Sequence, residues 1–192
     1  MDLIPLIYIK RRKIRIGQKS DPISIKDFLK LTEDKKKIYI FDRDGLEKDK
    51  PNLCTYQRLS SFVDLWVDNG PRNLGDVVDS TMAGATDITL RKKLSPKLYI
   101  SDIREITENK IYEYDELDNT NLVFDFDGIV IFNKKEDIES DFKLKEFFKN
   151  IIQKTKVYLY EPDLKNQIFW RKLGVHGLLV DLEKIKEFKN DK

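Results

Sequence analysis

The sequence predicts an α/β protein: a compact (β/α)8 barrel built from two similar half-barrels, with some helices shortened or missing. Three observations predict it. Short apolar runs alternate with amphipathic stretches, the first half of the chain resembles the second, and an acidic residue stands just past nearly every run. The runs cover 3–9, 38–41, 65–67, 88–90, 98–100, 122–124, 157–160 and 178–180. Each is rich in Ile, Val, Leu and Tyr, as expected of strands buried on both faces of a parallel sheet.

Taken in order, the first run continues through Lys10-Arg11-Arg12-Lys13 into Ile14-Arg15-Ile16-Gly17, a hairpin appended to the first strand. Ser24 can cap a helix over SIKDFLKL, and 55–63 fits a short helix. Asn73 can cap LGDVVDSTMAG, which ends at Gly84, a natural C-terminal stop. Residues 140–153 space Phe142, Leu144, Phe147, Phe148 and Ile151 along one helical face. Asp163 can cap LKNQIFWRKLG, ending at Gly174, and 183–189 closes the chain. Around the fourth and fifth strands the connections are too short for full helices. At 192 residues the barrel is trimmed below the roughly 250 that are typical.

The self-similarity has two parts. IYIFDRDG (38–45) resembles LVFDFDG (122–128), and each is preceded by a Pro-led run, IPLIYI and SPKLYIS. WVDNGPRNLGDVVDSTMAGATDITL resembles VYLYEPDLKNQIFWRKLGVHGLLVD, both reading strand, loop, helix, Gly, strand. The expected organisation is one domain over 1–192, with half-barrels of about 1–94 and 95–192. Neither half can bury its own sheet edges, so the two close on each other.

Charged residues reach 36% and nearly cancel, leaving a net charge of +2. That balance fits a solvated surface of the thermophilic kind and argues against a dedicated nucleic-acid binder, which carries a basic excess on one face. The one cysteine, Cys54, excludes an internal disulfide and a multi-cysteine metal site, and reads as a small buried residue. The one histidine, His176, excludes a catalytic histidine pair; at the start of the last strand it is expected to be structural. The apolar N-terminal run is too short to span a bilayer and lacks the pattern of a signal peptide, so a cytoplasmic protein with no membrane partner is expected.

In a β/α barrel the functional mouth lies where strands end and βα loops begin. The residues past the expected strands are Asp42 and Asp44, Asp68, Asp102, Asp125 and Asp127, Glu161 and Asp163, and Asp181, with Arg91 and Lys92 after the fourth strand. An aspartate in such a place also caps the next helix or satisfies loop amides.

IPLIYIK, IFDRDGLEKDKPN, VDNGPRNLGDVVDSTMAGATDITL, ISD, FDFDG and LGVHGLLVDLEKI together resemble, over nearly the whole chain, the histidine-biosynthesis barrels. These are the phosphoribosylformimino-aminoimidazole carboxamide ribotide isomerase and the imidazole glycerol phosphate synthase cyclase subunit, both half-barrel duplications. The resemblance implies acid–base chemistry on a phosphorylated metabolite at the mouth. It places Tyr8 where the family has a catalytic aspartate and Asp102 where it has the second acid. Of the family's phosphate-binding glycine turns only Gly70 remains, in Asp68-Asn69-Gly70-Pro71-Arg72. The counterparts read Tyr160-Glu161-Pro162 and Asp181-Leu182. Arg91 and Lys92 stand where the family lines its first phosphate. The original isomerisation, which needs an acid and a base on opposite sides of the substrate, is not expected.

The resulting expectation is a small anionic or phosphorylated metabolite held at the mouth by Asp68, Gly70, Arg72, Arg91, Lys92, Asp125 and Asp127. Asp102, Asp42, Asp44 and Tyr8 would be the acid–base groups, with no cofactor and no metal. A second reading is a non-catalytic binding or assembly barrel, with Tyr56, Phe169 and Trp170 as partner-facing aromatics. A third is a Mg²⁺-dependent phosphohydrolase, because VFDFDGIVIF is similar to the first motif of the haloacid dehalogenases.

Overall fold

The computed structural model describes residues 1–115, 125–133 and 135–190. The chain opens with β1 (Asp2–Lys10), turns at Arg11 and Arg12, and returns as β2 (Lys13–Arg15) and β3 (Pro22–Ile23). Both turn residues have positive φ, 53° and 61°, the geometry of a two-residue hairpin that follows the strand twist. Neither is glycine, so side chains hold them: Arg11 N–H donates to Asp44, and Arg12 N–H to Asn52 at 3.0 Å.

The chain then runs α1 (Ile25–Thr32), β4 (Lys37–Asp42), α2 (Arg43–Lys48), α3 (Leu53–Leu59), β5 (Asp64–Asp68), α4 (Leu74–Met82) and β6 (Ala85–Arg91). It continues with α5 (Ile100–Arg104), β7 (Lys110–Asp115), β8 (Gly128–Ile131), α6 (Lys135–Ser140), α7 (Phe142–Lys154) and β9 (Val157–Tyr160). A 3₁₀ turn (Leu164–Asn166), α8 (Gln167–Leu173), β10 (Gly177–Asp181) and α9 (Leu182–Asn190) complete it. The expected caps form. Ser24 accepts from Asp27 N–H, Asn73 and Asp76 make a reciprocal capping box, and Asp163 accepts from Lys165 N–H. Gly174 ends α8 at φ +97°, where a Cβ would be strained.

Eight strands, β1, β4, β5, β6, β7, β8, β9 and β10, pair in parallel in that order, and β10 pairs back onto β1 from Asp2↔Gly177 to Leu6↔Asp181. The sheet is a closed eight-stranded parallel barrel with shortened helices between strands, and closure removes its edges. Leu6, Tyr39, Trp66, Tyr112, Val130, Tyr158 and Leu179 fill the interior. Trp66 meets Tyr112 at 4.0 Å and Tyr158 edge-on at 4.8 Å between ring centroids. The outward faces of β1 and β4–β6 pack under Phe28, Tyr56, Leu59 and Val77, and those of β8–β10 under Ile138, Phe148 and Trp170.

Two strands are not where the apolar runs point. The fifth is Lys110–Asp115, not 98–100; the latter segment follows Pro96 and leads into α5. KIYEYD is less apolar but alternates, placing Tyr112 inward and Ile111 outward, and period rather than mean hydropathy fixes a strand. The sixth is Gly128–Ile131, and residues 122–124 lie outside the described residues. Consequently the two Asp-x-Asp-Gly motifs are not equivalent: one leaves β4 and the other enters β8. The second part of the self-similarity does superpose in order, as β5–α4–β6 and β9–α8–β10.

Candidate functional site

Inward-facing residues at the C-terminal ends of the strands form the mouth. Tyr8, Phe41, Asp68, Arg91, Tyr114, Phe132, Tyr160 and Asp181 meet there in a network of hydrogen bonds and ring contacts. Arg91 donates through Nε to Asp68 Oδ1 at 2.9 Å and through Nη2 to Oδ2 at 2.6 Å. The same carboxylate accepts from the Tyr39 hydroxyl at 2.8 Å and has no exposed surface. The guanidinium lies 3.7 Å from the Tyr114 ring centroid and 5.4 Å from that of Phe41. Burial alone would lower the Arg91 pKa, but the Asp68 charge outweighs it and the net shift is upward, so Arg91 keeps its charge at every ordinary pH.

Across the mouth, Tyr8 donates to Asp181 Oδ1 at 2.8 Å and Tyr160 to Oδ2 at 3.3 Å. Phe132 stacks on Tyr160 at 5.1 Å and touches Phe41 and Tyr114, bridging the two halves of the opening. The sequence places Tyr8, Asp68, Arg91 and Asp181 at the mouth and names Tyr160 in one of its turns, but it does not single out Phe41, Tyr114 or Phe132. Its available signal was the i, i+2 aromatic pair in three strands: Tyr39/Phe41, Tyr112/Tyr114 and Tyr158/Tyr160.

Burial holds the Asp181 carboxyl above the usual aspartate range, against the two tyrosine hydrogen bonds that favour its ionised form. A raised native pKa means the folded state binds this proton more tightly than the unfolded chain does. The resulting stabilisation is complete below the unfolded aspartate value of about 3.9 and is lost as pH rises through the native one. Asp181→Asn removes the titration. Its stability relative to wild type is therefore expected to improve between about pH 3 and pH 7. Urea unfolding across that range measures it, and a pH-independent difference would show that Asp181 titrates as a solvated carboxyl.

The remaining expected site residues lie elsewhere. Asp42 faces outward from β4 and caps α2, accepting from Asp44 N–H (3.0 Å), Gly45 N–H (3.2 Å), Asn52 N–H (2.7 Å), Asn52 Nδ2 (2.7 Å) and the Tyr56 hydroxyl. Its lone pairs are committed to the protein's own donors, which leaves them unavailable to a metal ion or a substrate. Asp44 pins the hairpin through Arg11 N–H. Burial opposes its ionisation, but that hydrogen bond, with those from Asn52 and Lys48, brings its pKa below the usual range.

Gly70 sits at φ +66°, yet a Cβ there would meet Leu94 Cδ1 at 2.7 Å and Leu46 Cδ2 at 3.0 Å, so leucine side chains occupy the approach a phosphate would need. Arg72 donates to the carbonyls of Gly45, Gly70 and Leu46 and pairs with Asp49 at 2.8 Å, clamping two loops together.

Three placements are corrected outright. Asp102 is exposed on α5, ahead of the fifth strand instead of past it. Asp127 precedes β8 at the N-terminal end of the barrel, accepting from Ile111 N–H at 2.8 Å and pairing with Arg104 at 2.5 Å. Asp125 also precedes β8; with Lys92 it lines a cavity beside Leu90, Leu98 and Ile100.

Tyr56 and Trp170 are fully buried, so neither faces a partner, and Phe169 packs edge-on against Trp170 at 4.9 Å. Cys54 is exposed on α3 instead of buried. His176 lies at the N-terminal end of β10, where its backbone carbonyl accepts from Asp2 N–H at 2.8 Å.

At that N-terminal end a second well, of about 460 Å³, lies below Trp66, Tyr112 and Tyr158. Among the described residues no helix is long and apolar enough to cross a membrane. The fold defines the class: a closed (β/α)8 barrel, in which Asp42, Asp68 and Asp181 accept hydrogen bonds from the protein's own groups. No protein-family model matches the sequence, and no curated protein matches it either.

Proposed function

We propose that this chain is a non-catalytic barrel, a binding or assembly module diverged from the histidine-biosynthesis barrels. The observation that carries this reading is the state of Arg91. The cation that an anion-binding mouth would use is committed to both oxygens of a fully buried Asp68 and covered by Tyr114. Tyr8, standing where the resemblance places a catalytic acid, is engaged with Asp181, and Phe132 stacks on Tyr160, which shares that carboxylate. Exposed apolar side chains one turn apart on α4, Val78 and Met82, supply a surface suited to a partner.

A mouth that takes a small anionic or phosphorylated metabolite is the other reading. Its support is the position of Arg91 at the end of β6, and it requires a ligand oxyanion to displace Asp68. Denaturing the purified protein and analysing the released small molecules by mass spectrometry decides between the two, together with thermal unfolding in inorganic phosphate and in ribose 5-phosphate. The non-catalytic reading expects no stoichiometric metabolite and no rise in Tm with either probe. A phosphorylated compound recovered at one per chain, or a Tm that climbs with probe concentration, would overturn it.

A further inference from the structure

We propose that the tip of the β1–β2 hairpin, Lys10 to Lys13, is a docking surface for a short acidic segment of a partner protein. It extends the binding-module reading but does not rest on it, because the tip stands apart from Arg91 and Asp68.

The tip breaks two local rules. Its turn residues, Arg11 and Arg12, stand at φ 53° and 61°. A two-residue turn with both residues left-handed is least strained as Asn-Gly, since a Cβ there crowds the following carbonyl. Lys10 and Lys13 face each other directly in the β1–β2 pairing, where like charges repel. Positions that break local rules together and are nonetheless held mark function more often than fold.

What holds the tip is not its own charges. Asp44 accepts from the Arg11 backbone N–H, and Asn52 from that of Arg12. Both acceptors are buried, and Asn52 is fixed in turn by Asp42. The backbone is gripped while the guanidinium groups are left over. The Asp44 carboxylate pairs with Lys48, and nearby Asp49 pairs with Arg72. Among the described residues, none of the Lys10, Arg11, Arg12 and Lys13 side chains forms an ion pair, and the last three are exposed.

The cations also share a side. Alternation along β1 sets Lys10 on the face of Tyr8, and Lys13 opposite it on the same face. Arg43 lies there too, its guanidinium 6.0 Å from the Tyr8 ring centroid. A backbone fixed in advance reduces the ordering that a partner must impose.

The partner's chemistry follows from the fork and the extent. Adjacent guanidinium groups match carboxylates in bidentate geometry. The excess is local, since the whole chain carries only +2. A nucleic acid is held by many phosphates along its length and would run past the hairpin onto a surface whose charges cancel. A short run of Asp or Glu meets the cations alone.

The test is fluorescence-anisotropy titration of the full chain into a labelled oligoglutamate peptide, beside oligoglutamine and a DNA duplex labelled in the same way. Oligoglutamate is expected to bind and oligoglutamine not to. The Arg11→Asn/Arg12→Gly variant is expected to weaken oligoglutamate binding at least about ten-fold. Asn-Gly suits the turn, so this variant is expected to melt at the wild-type temperature or above it. Lys143→Gln/Lys145→Gln, on the exposed face of α7, removes the same net charge and is expected to change binding by less than about two-fold. If Arg11→Asn/Arg12→Gly does not fold, Lys10→Gln/Lys13→Gln, which relieves the facing repulsion, takes its place. No binding of oligoglutamate, equal binding of oligoglutamine, equal losses in the hairpin and α7 variants, or tighter binding of the DNA duplex would each overturn the proposal. A phosphorylated compound in the mouth would overturn the non-catalytic reading and leave this one standing.

Discussion

Replacing Asp68 with alanine is expected to lower stability by about 3–5 kcal/mol, read as a fall in the urea midpoint at constant slope. The size follows from what is left behind. Arg91 is only 16% exposed in its side chain, and its Nε and Nη2 both lose their acceptor while the charge stays enclosed by Phe41 and Tyr114. The Tyr39 hydroxyl, fully buried, loses its carboxylate acceptor in the same step. A buried ion pair is not itself a large source of stability, because desolvating both partners cancels most of their attraction. The loss is large because one partner remains. Arg91→Met in the Asp68→Ala background is therefore expected to restore a substantial part of it, and the double-mutant cycle isolates the coupling. A single-mutant cost below about 1 kcal/mol would place the pair in solvent.

Asp42→Ala and Asp42→Asn are both expected to be severe, at about 3–5 kcal/mol each by thermal or urea unfolding. The carboxylate is surrounded by donors: three backbone N–H groups, the Asn52 amide and the Tyr56 hydroxyl. Alanine strands them all. Asparagine keeps one acceptor oxygen but turns an NH₂ group toward donors on the other side, so isostericity does not rescue the site. At Asp181 the amide has better prospects. Its two partners are hydroxyls, and Tyr160 can accept from the amide by rotating its O–H. An Asp42→Asn variant as stable as wild type would mean that the α2–α3 loop does not depend on this carboxylate.

Much of the fold is legible in the sequence because its signals are local. Caps are read within four residues, as at Ser24, Asn73 and Asp163, and helix stops at Gly84 and Gly174 need only a backbone that glycine allows. The appended hairpin follows from the same nearby pattern. The fifth strand is missed because its most apolar neighbour, 98–100, outscores KIYEYD in hydropathy. Yet only the latter has the alternation that faces Tyr112 and Tyr114 to the interior while Ile111 packs outside.

The candidate site is much less legible. An aspartate after a strand reads the same whether it points into the barrel or away from it, and a shift of one residue reverses the face. Asp42 and Asp68 both end a strand. Asp42 turns outward to cap α2, and Asp68 turns inward to meet Arg91. A displaced strand boundary moves whole motifs to the other end of the barrel, as it does for Asp125 and Asp127.

The sequence by itself determined the alternation of strands and helices, the caps that bound them, and the closure of eight parallel strands, because each follows from short-range preference and the need to bury an apolar face. Only the tertiary structure decided what the acids do. Asp181 is committed to Tyr8 from 173 positions away, and Asp68 to Arg91 across one strand pair. Those partners are chosen by register and barrel closure, which bring together groups that no local pattern connects. The same closure brought the rings of Phe41, Tyr114, Phe132 and Tyr160 together at the mouth.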